Sequence, residues 1–268
     1  MKPLIVANWK MNTSLADALL ITNLVKNNAV DLNADIVLCP PYIWLAPMAE
    51  ILEKSSKNIH LGAQNIWFTD HGAVTGEISP LMLKELARYV IVGHSERRHF
   101  FKESDELIVD KIKAAIRHDL TPIVCVGELR KMHESSSNWR RGRGRPTKID
   151  IRADIIVQVE TIIKELTEAE IEKVIFCYEP VWAISTSGEG PATGAYATQV
   201  VQRIREVLAE KYNRNLAQSI KILYGGSVDE DNVKEYIYQP EIDGVLVGSA
   251  SLKAKEFVKI CREASGLE

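Results

Sequence analysis

A chain of 268 residues, 46% hydrophobic and 26% charged, has ordinary globular composition and length enough for a sizeable core, which excludes disorder and a disulfide-stapled miniature. Its net charge of −3 supplies no global field toward nucleic acid or an anionic membrane, and no apolar run approaches the roughly 18 residues a spanning helix needs.

The chain begins Met1-Lys2-Pro3, and the apolar run Leu4-Ile5-Val6-Ala7 that follows is too short for a signal peptide. That run is the first of eight short, non-alternating apolar stretches, the pattern of strands buried on both faces. Strands are predicted at 4–7, 36–39, 59–63, 89–92, 122–126, 174–178, 220–224 and 245–247. Amphipathic stretches at 16–26, 105–117, 155–165 and 198–211 lie between them. Strict strand–helix alternation points to an α/β fold with a closed, eight-stranded parallel sheet, in one domain over 1–268. A doubly wound dinucleotide-binding sheet is the alternative, but the first turn reads Asn8-Trp9-Lys10 and lacks the glycine-rich fingerprint. Cys39, Cys125, Cys177 and Cys261 are too widely spaced for a zinc motif or a disulfide framework, so reduced thiols and a cytoplasmic location are expected.

One segment departs from the rest. Residues 129–149 hold seven Lys or Arg against the single acid Glu134, a charge of +6 that leaves −9 for the remainder. Its serines and glycines mark an insertion after the fifth strand, and its expected role is that of a solvated loop.

In a parallel barrel the polar residues at the C-terminal ends of the strands line the site. Reading those ends in turn yields Asn8 and Lys10, Gln64 and Asn65, His94 and Glu96, Cys125 and Glu128, Glu179, Gly225-Gly226-Ser227, and Gly248-Ser249. A carboxylate, an imidazole and an ammonium at one mouth suit acid–base work on an anionic substrate. Ser95 is expected to cap a helix that starts with Glu96, placing His94 at its positive end, where a charged ring is disfavoured.

Five stretches in order resemble those of the triosephosphate isomerases: Ala7-Asn8-Trp9-Lys10-Met11-Asn12, Gly93-His94-Ser95-Glu96-Arg97-Arg98, Tyr178-Glu179-Pro180-Val181-Trp182-Ala183-Ile184, Leu223-Tyr224-Gly225-Gly226-Ser227-Val228, and Gly248-Ser249-Ala250-Ser251-Leu252-Lys253. The resemblance implies a single (β/α)8 TIM barrel that interconverts dihydroxyacetone phosphate and D-glyceraldehyde 3-phosphate without metal or organic cofactor. It implies Glu179 as base, His94 as neutral electrophile and Lys10 as fixed cation. Asn8, Lys10, Ser185, Ser227, Gly248 and Ser249 are then expected to bind substrate, with Glu96 and Cys125 in support. It further implies a homodimer in which Thr75, at the tip of the 64–80 loop, reaches the partner's site. Two places depart from the family pattern. The lid reads Ser185-Thr186-Ser187-Gly188-Glu189-Gly190-Pro191, with serines for the customary tip glycines and no lysine, and Ser249 stands where a second glycine is usual. Two alternatives accompany this reading. One is an isomerase of a longer ketose phosphate; the other is a weakly active barrel that binds polyanions through 129–149. Lys10, His94 and Glu179 together argue against the latter, and no nucleic-acid or membrane partner is expected.

Overall fold

The computed structural model describes residues 2–52, 57–128, 153–183 and 190–266. The basic segment 129–149 and Ser185 lie outside the described residues.

The eight strands form a closed parallel barrel in sequential order. They are β1 (Leu4–Asn8), β2 (Asp35–Cys39), β3 (Ile59–Ala63), β4 (Tyr89–Val92), β5 (Thr121–Val126), β6 (Ile175–Tyr178), β7 (Ile222–Tyr224) and β8 (Gly244–Val247). The ring shuts where β1 pairs with β8, Leu4 opposite Gly244 and Ala7 opposite Val247. The helices are α1 (Leu15–Ala29), α2 (Leu45–Leu52), α3 (Pro80–Leu83), α4 (Ser95–Phe100), α5 (Asp105–Arg117), α6 (Ala153–Lys164), α7 (Glu168–Ile171), α8 (Gly194–Lys211), α9 (Arg214–Ser219), α10 (Val233–Ile237) and α11 (Ala254–Ala264). No helix among the described residues is long and apolar enough to cross a membrane.

Alternation along each strand divides the core in two. One set, including Leu4, Val6, Val37, Tyr89, Ile91, Ile123 and Leu223, packs with Cys39, Cys125 and Cys177 inside the barrel. The other, including Ile5, Ala7, Ile36, Leu38, Val90 and Val92, packs outward against the helices. Short polar signals start those helices. Ser104 accepts the Leu107 N–H ahead of α5, whose first turn carries Asp105 and Glu106, and Thr167 and Glu170 cap α7 reciprocally. The fold therefore brings the C-terminal ends of all eight strands to one rim.

Candidate active site

Lys10 leaves β1 in the left-handed region, at φ 53°, a costly conformation for a residue with a side chain. Its surroundings hold it there. Asn8 Oδ1 accepts the Lys10 N–H at 3.1 Å, and Gln64 Nε2 donates to the Lys10 carbonyl at 2.8 Å and to that of Cys39 at 2.9 Å. The ammonium meets Glu96 Oε1 at 2.7 Å. Glu96 thus fixes the direction of the cation.

His94 follows β4 through Gly93 and is itself the N-cap of α4, which corrects the expectation that Ser95 would cap it. The reason is geometric: His94 Nδ1 accepts the Glu96 N–H at 3.2 Å, the bond a capping side chain makes. That frees the Ser95 N–H, which donates to Glu179 Oε2 at 3.0 Å. The other carboxylate oxygen lies 2.9 Å from His94 Nε2. Both side chains are almost fully buried.

Burial pushes the Glu179 carboxyl up, but His94 and the Ser95 N–H outweigh burial and hold it below the ordinary carboxylate value. At His94, burial opposes charge on the ring, while the Glu179 carboxylate and its hydrogen bond overcome burial and lift the pKa to about 9. The Glu96 N–H acts against that lift, because a proton on Nδ1 would take up the lone pair that accepts it and set two N–H donors face to face. The tautomer that satisfies both neighbours carries its proton on Nε2 and donates it to Glu179.

The backbone under Glu179 is equally determined. Glu179 N–H donates to the Val126 carbonyl at 2.8 Å and Val181 N–H to that of Glu128 at 3.0 Å. Gly127 lies so close that a Cβ there would overlap the Glu179 carbonyl oxygen. Beyond β6, Gly225 N–H donates to the Tyr178 carbonyl at 2.8 Å. The glycine at 225 is needed for room, since its added Cβ would stand 2.5 Å from Cys177 Sγ. Cys125, opposite Cys177 in the sheet register, is a buried free thiol that packs the barrel interior. Ser227 N–H meets the Ala183 carbonyl at 3.2 Å, and Gly248 caps the short turn Ser249–Leu252. Asn8, Lys10, His94 and Glu179 line a cavity of about 250 Å³ together with residues 225–227, 248 and 249. Among the described residues, no group of three His, Cys, Asp or Glu side chains could hold a metal ion.

The family model described as Triosephosphate isomerase matches residues 3–264. The chain belongs to the triosephosphate isomerase family. A protein named Triosephosphate isomerase from Dehalococcoides mccartyi (strain CBDB1) is 44% identical over 271 residues, spanning 100% of this chain and 99% of the relative. One of the same name from Caldanaerobacter subterraneus subsp. tengcongensis is 40% identical over 260 residues, 97% and 98% of the two chains. A third, from Clostridium botulinum (strain Langeland), is 40% identical over 258 residues, covering 96% and 97%.

Beside the residues expected from sequence, this family member has a buried cluster that sequence reading missed. Glu128 Oε1 accepts from Trp182 Nε1 at 2.6 Å, Tyr178 Oη at 2.9 Å and Tyr196 Oη at 3.2 Å. Burial nonetheless pushes the Glu128 carboxyl above its ordinary value. The cluster anchors the turn Val181–Ala183, which follows the base along the chain. Glu128 stood among the strand-end residues, but nothing in its spacing pointed to these three partners.

Proposed function

We propose that the chain interconverts dihydroxyacetone phosphate and D-glyceraldehyde 3-phosphate through an enediolate. The observation that carries this reading is the meeting of Glu179 with His94 at 2.9 Å in a rim cavity that also holds Lys10. A carboxylate at that position takes a proton from the carbon beside a carbonyl and returns it to the neighbouring carbon. His94 Nε2–H hydrogen-bonds the oxygens as their charge develops and relays the hydroxyl proton from the one that becomes the carbonyl to the one that becomes the hydroxyl, and the Lys10 ammonium supports the same charge. A substrate carbon between Glu179 and the ring removes the carboxylate contact that favours imidazolium. Burial and the Glu96 N–H then keep the ring neutral. The phosphate binds at the turns of Ser227 and of Gly248-Ser249, with Asn8 hydrogen-bonding the sugar and Ser185 donating from the lid.

The reaction needs no metal, organic cofactor, nucleic acid or membrane. The proposal places all of 1–268 in one domain, with 129–149 as a solvated insertion. Four free, buried thiols support a reducing, cytoplasmic setting. A coupled assay on triose and tetrulose phosphates tests the reaction. Turnover of the triose phosphates is expected, and equal or better turnover of tetrulose phosphates would move the assignment to a longer ketose.

We further propose a homodimer. The loop carrying Thr75 is tethered rather than loose: Asp70 Oδ1 accepts from Arg117 at 2.9 Å and contacts His118 Nε2 at 2.8 Å. It presents exposed Val74 and Thr75. Met11, next to the strained Lys10, is 96% exposed, and Met82 and Phe101 from later connections are exposed as well. Exposed apolar side chains on these connections are candidates for cover by a second copy. Sedimentation at micromolar concentration is expected to give a dimer, and Thr75→Arg to give monomers with at least about a tenfold loss of kcat as the loop of the second copy leaves the rim beside Asn8 and Lys10. A fully active wild-type monomer would refute this arrangement.

A further inference from the structure

The phosphate-binding turn and the backbone that enters α8 are separate in sequence, yet both are held by α10. Tyr236, on α10, is fully buried. Its hydroxyl donates to the Ala192 carbonyl at 2.7 Å. Its ring stacks on Tyr224 with centroids 3.9 Å apart and planes at 14°. Tyr224 is the last residue of β7 and immediately precedes Gly225-Gly226-Ser227. The neighbouring Glu235 accepts the Gly194 N–H on Oε1 at 2.7 Å. Gly194 has no room for a side chain, because a Cβ there would overlap the Glu235 carbonyl. At the start of α10, Asn232 Nδ2 donates to the Ser227 carbonyl at 3.2 Å, and Asn232 is pinned by the Asp229 carboxylate, which accepts its N–H at 2.9 Å.

This five-residue helix and its N-cap Asn232 thus grip two places at once. Asn232 and the Tyr224 ring fix the turn at 225–227, while Tyr236 and Glu235 fix Ala192 and Gly194. The Tyr236 contacts are fully buried and those of Asn232 and Glu235 part-buried, so a displacement on one side strains the other chiefly through Tyr236; packed interiors transmit such shifts rather than absorb them. The hydroxyl of Tyr236 is the fully buried polar group of this loop of contacts, and leaving the buried Ala192 carbonyl without it carries a penalty.

We propose that Tyr236 is a positioning residue for the phosphate site, which it couples through α10 to the backbone entering α8. The inference rests on the isomerase reading for its substrate, but its binding arm does not depend on turnover. The experiment uses the full chain carrying Tyr236→Phe, which keeps the stack and removes only the hydroxyl. Glycerol 3-phosphate binding is measured by calorimetry, and kinetics are measured on D-glyceraldehyde 3-phosphate and on phosphate-free D-glyceraldehyde. Affinity for glycerol 3-phosphate and kcat/KM on the phosphorylated triose are expected to fall about fivefold, the effect of one net buried hydrogen bond. Turnover of the phosphate-free triose is expected within about twofold of wild type, because binding energy from the remote phosphate is the part being lost. Equal losses on both trioses would show a merely structural role, and unchanged affinity would show no role; either overturns the proposal. Should Tyr236→Phe fail to fold, Glu235→Ala severs the Gly194 arm and is expected to show the same split. If wild type binds glycerol 3-phosphate but isomerises nothing, the catalytic reading fails while the binding comparison still decides the role of Tyr236.

Discussion

Glu179→Asp is expected to lower kcat by about 10²-fold while the barrel still folds. Aspartate withdraws the carboxylate by one methylene, and a misplacement of about 1 Å at a reacting group is enough for a loss of that order. The geometry leaves little slack for compensation. The Glu179 backbone is locked to Val126 at 2.8 Å and abuts Gly127, so the main chain is not free to advance the shorter side chain. Glu179→Gln keeps the volume and abolishes the base, with a further loss expected within the 10²–10⁴ range typical of general acid–base groups. pH separates the two variants. Because the Glu179 carboxyl is held below its ordinary value, its contribution to stability is present above the ordinary carboxylate pKa and is lost as pH falls through the lowered one. The glutamine variant lacks that acid-side loss, and thermal unfolding followed from pH 7 downward reads the difference. Wild-type kcat in purified Glu179→Asp would show that Glu179 is not the base.

The strands were legible because a parallel barrel buries them on both faces, so each reads as an uninterrupted apolar run. The errors lie at ends where local capping overrides composition. Strand β7 starts at Ile222 rather than 220, because Ile220 closes α9 by donating its N–H to the Leu216 carbonyl. Val174 is likewise taken by the end of α7, donating to Ile171, and β6 starts one residue later. Helix α8 begins at Gly194, four residues before the predicted start, because Thr193 caps it by accepting the Tyr196 N–H. Glycine and alanine in that first turn give no apolar period to read.

At the site, the residues that follow strands directly were readable, and their partners were not. Lys10, His94 and Glu179 each sit one to three residues past an apolar run, and barrel closure alone carries them to one rim. The donors on Glu128 are 50, 54 and 68 residues away along the chain, so only the tertiary fold assembles them. Ser95 illustrates the boundary between the two cases. Its capping chemistry suggested an N-cap, whereas packing assigned the cap to His94 and turned the Ser95 N–H toward the base.

That exchange of roles makes His94→Asn the sharper test of the electrophile. Asparagine is among the best N-caps, so its side-chain oxygen is expected to accept the Glu96 N–H in place of Nδ1 and to preserve α4. Its amide is too short to reach the place where Nε2 meets Glu179 at 2.9 Å. The variant therefore keeps the helix and loses the donor to the developing enediolate. Removing one such donor typically costs about 10²–10³ in kcat, and that fall is expected here with the barrel still folded but a lower melting temperature near neutral pH, since the buried Glu179 carboxylate loses its His94 partner. The companion measurement is an NMR titration of the His94 ring. The Glu179 carboxylate is what lifts the ring to about 9, so in Glu179→Gln the midpoint is expected to drop, with burial left to depress it. The sign follows for stability too: a pKa raised in the folded state stabilises fully below the unfolded value of 6.5, and that benefit disappears as pH rises through about 9. A His94→Asn enzyme within threefold of wild-type kcat would remove the imidazole from the mechanism and leave Lys10 as the group facing the developing charge.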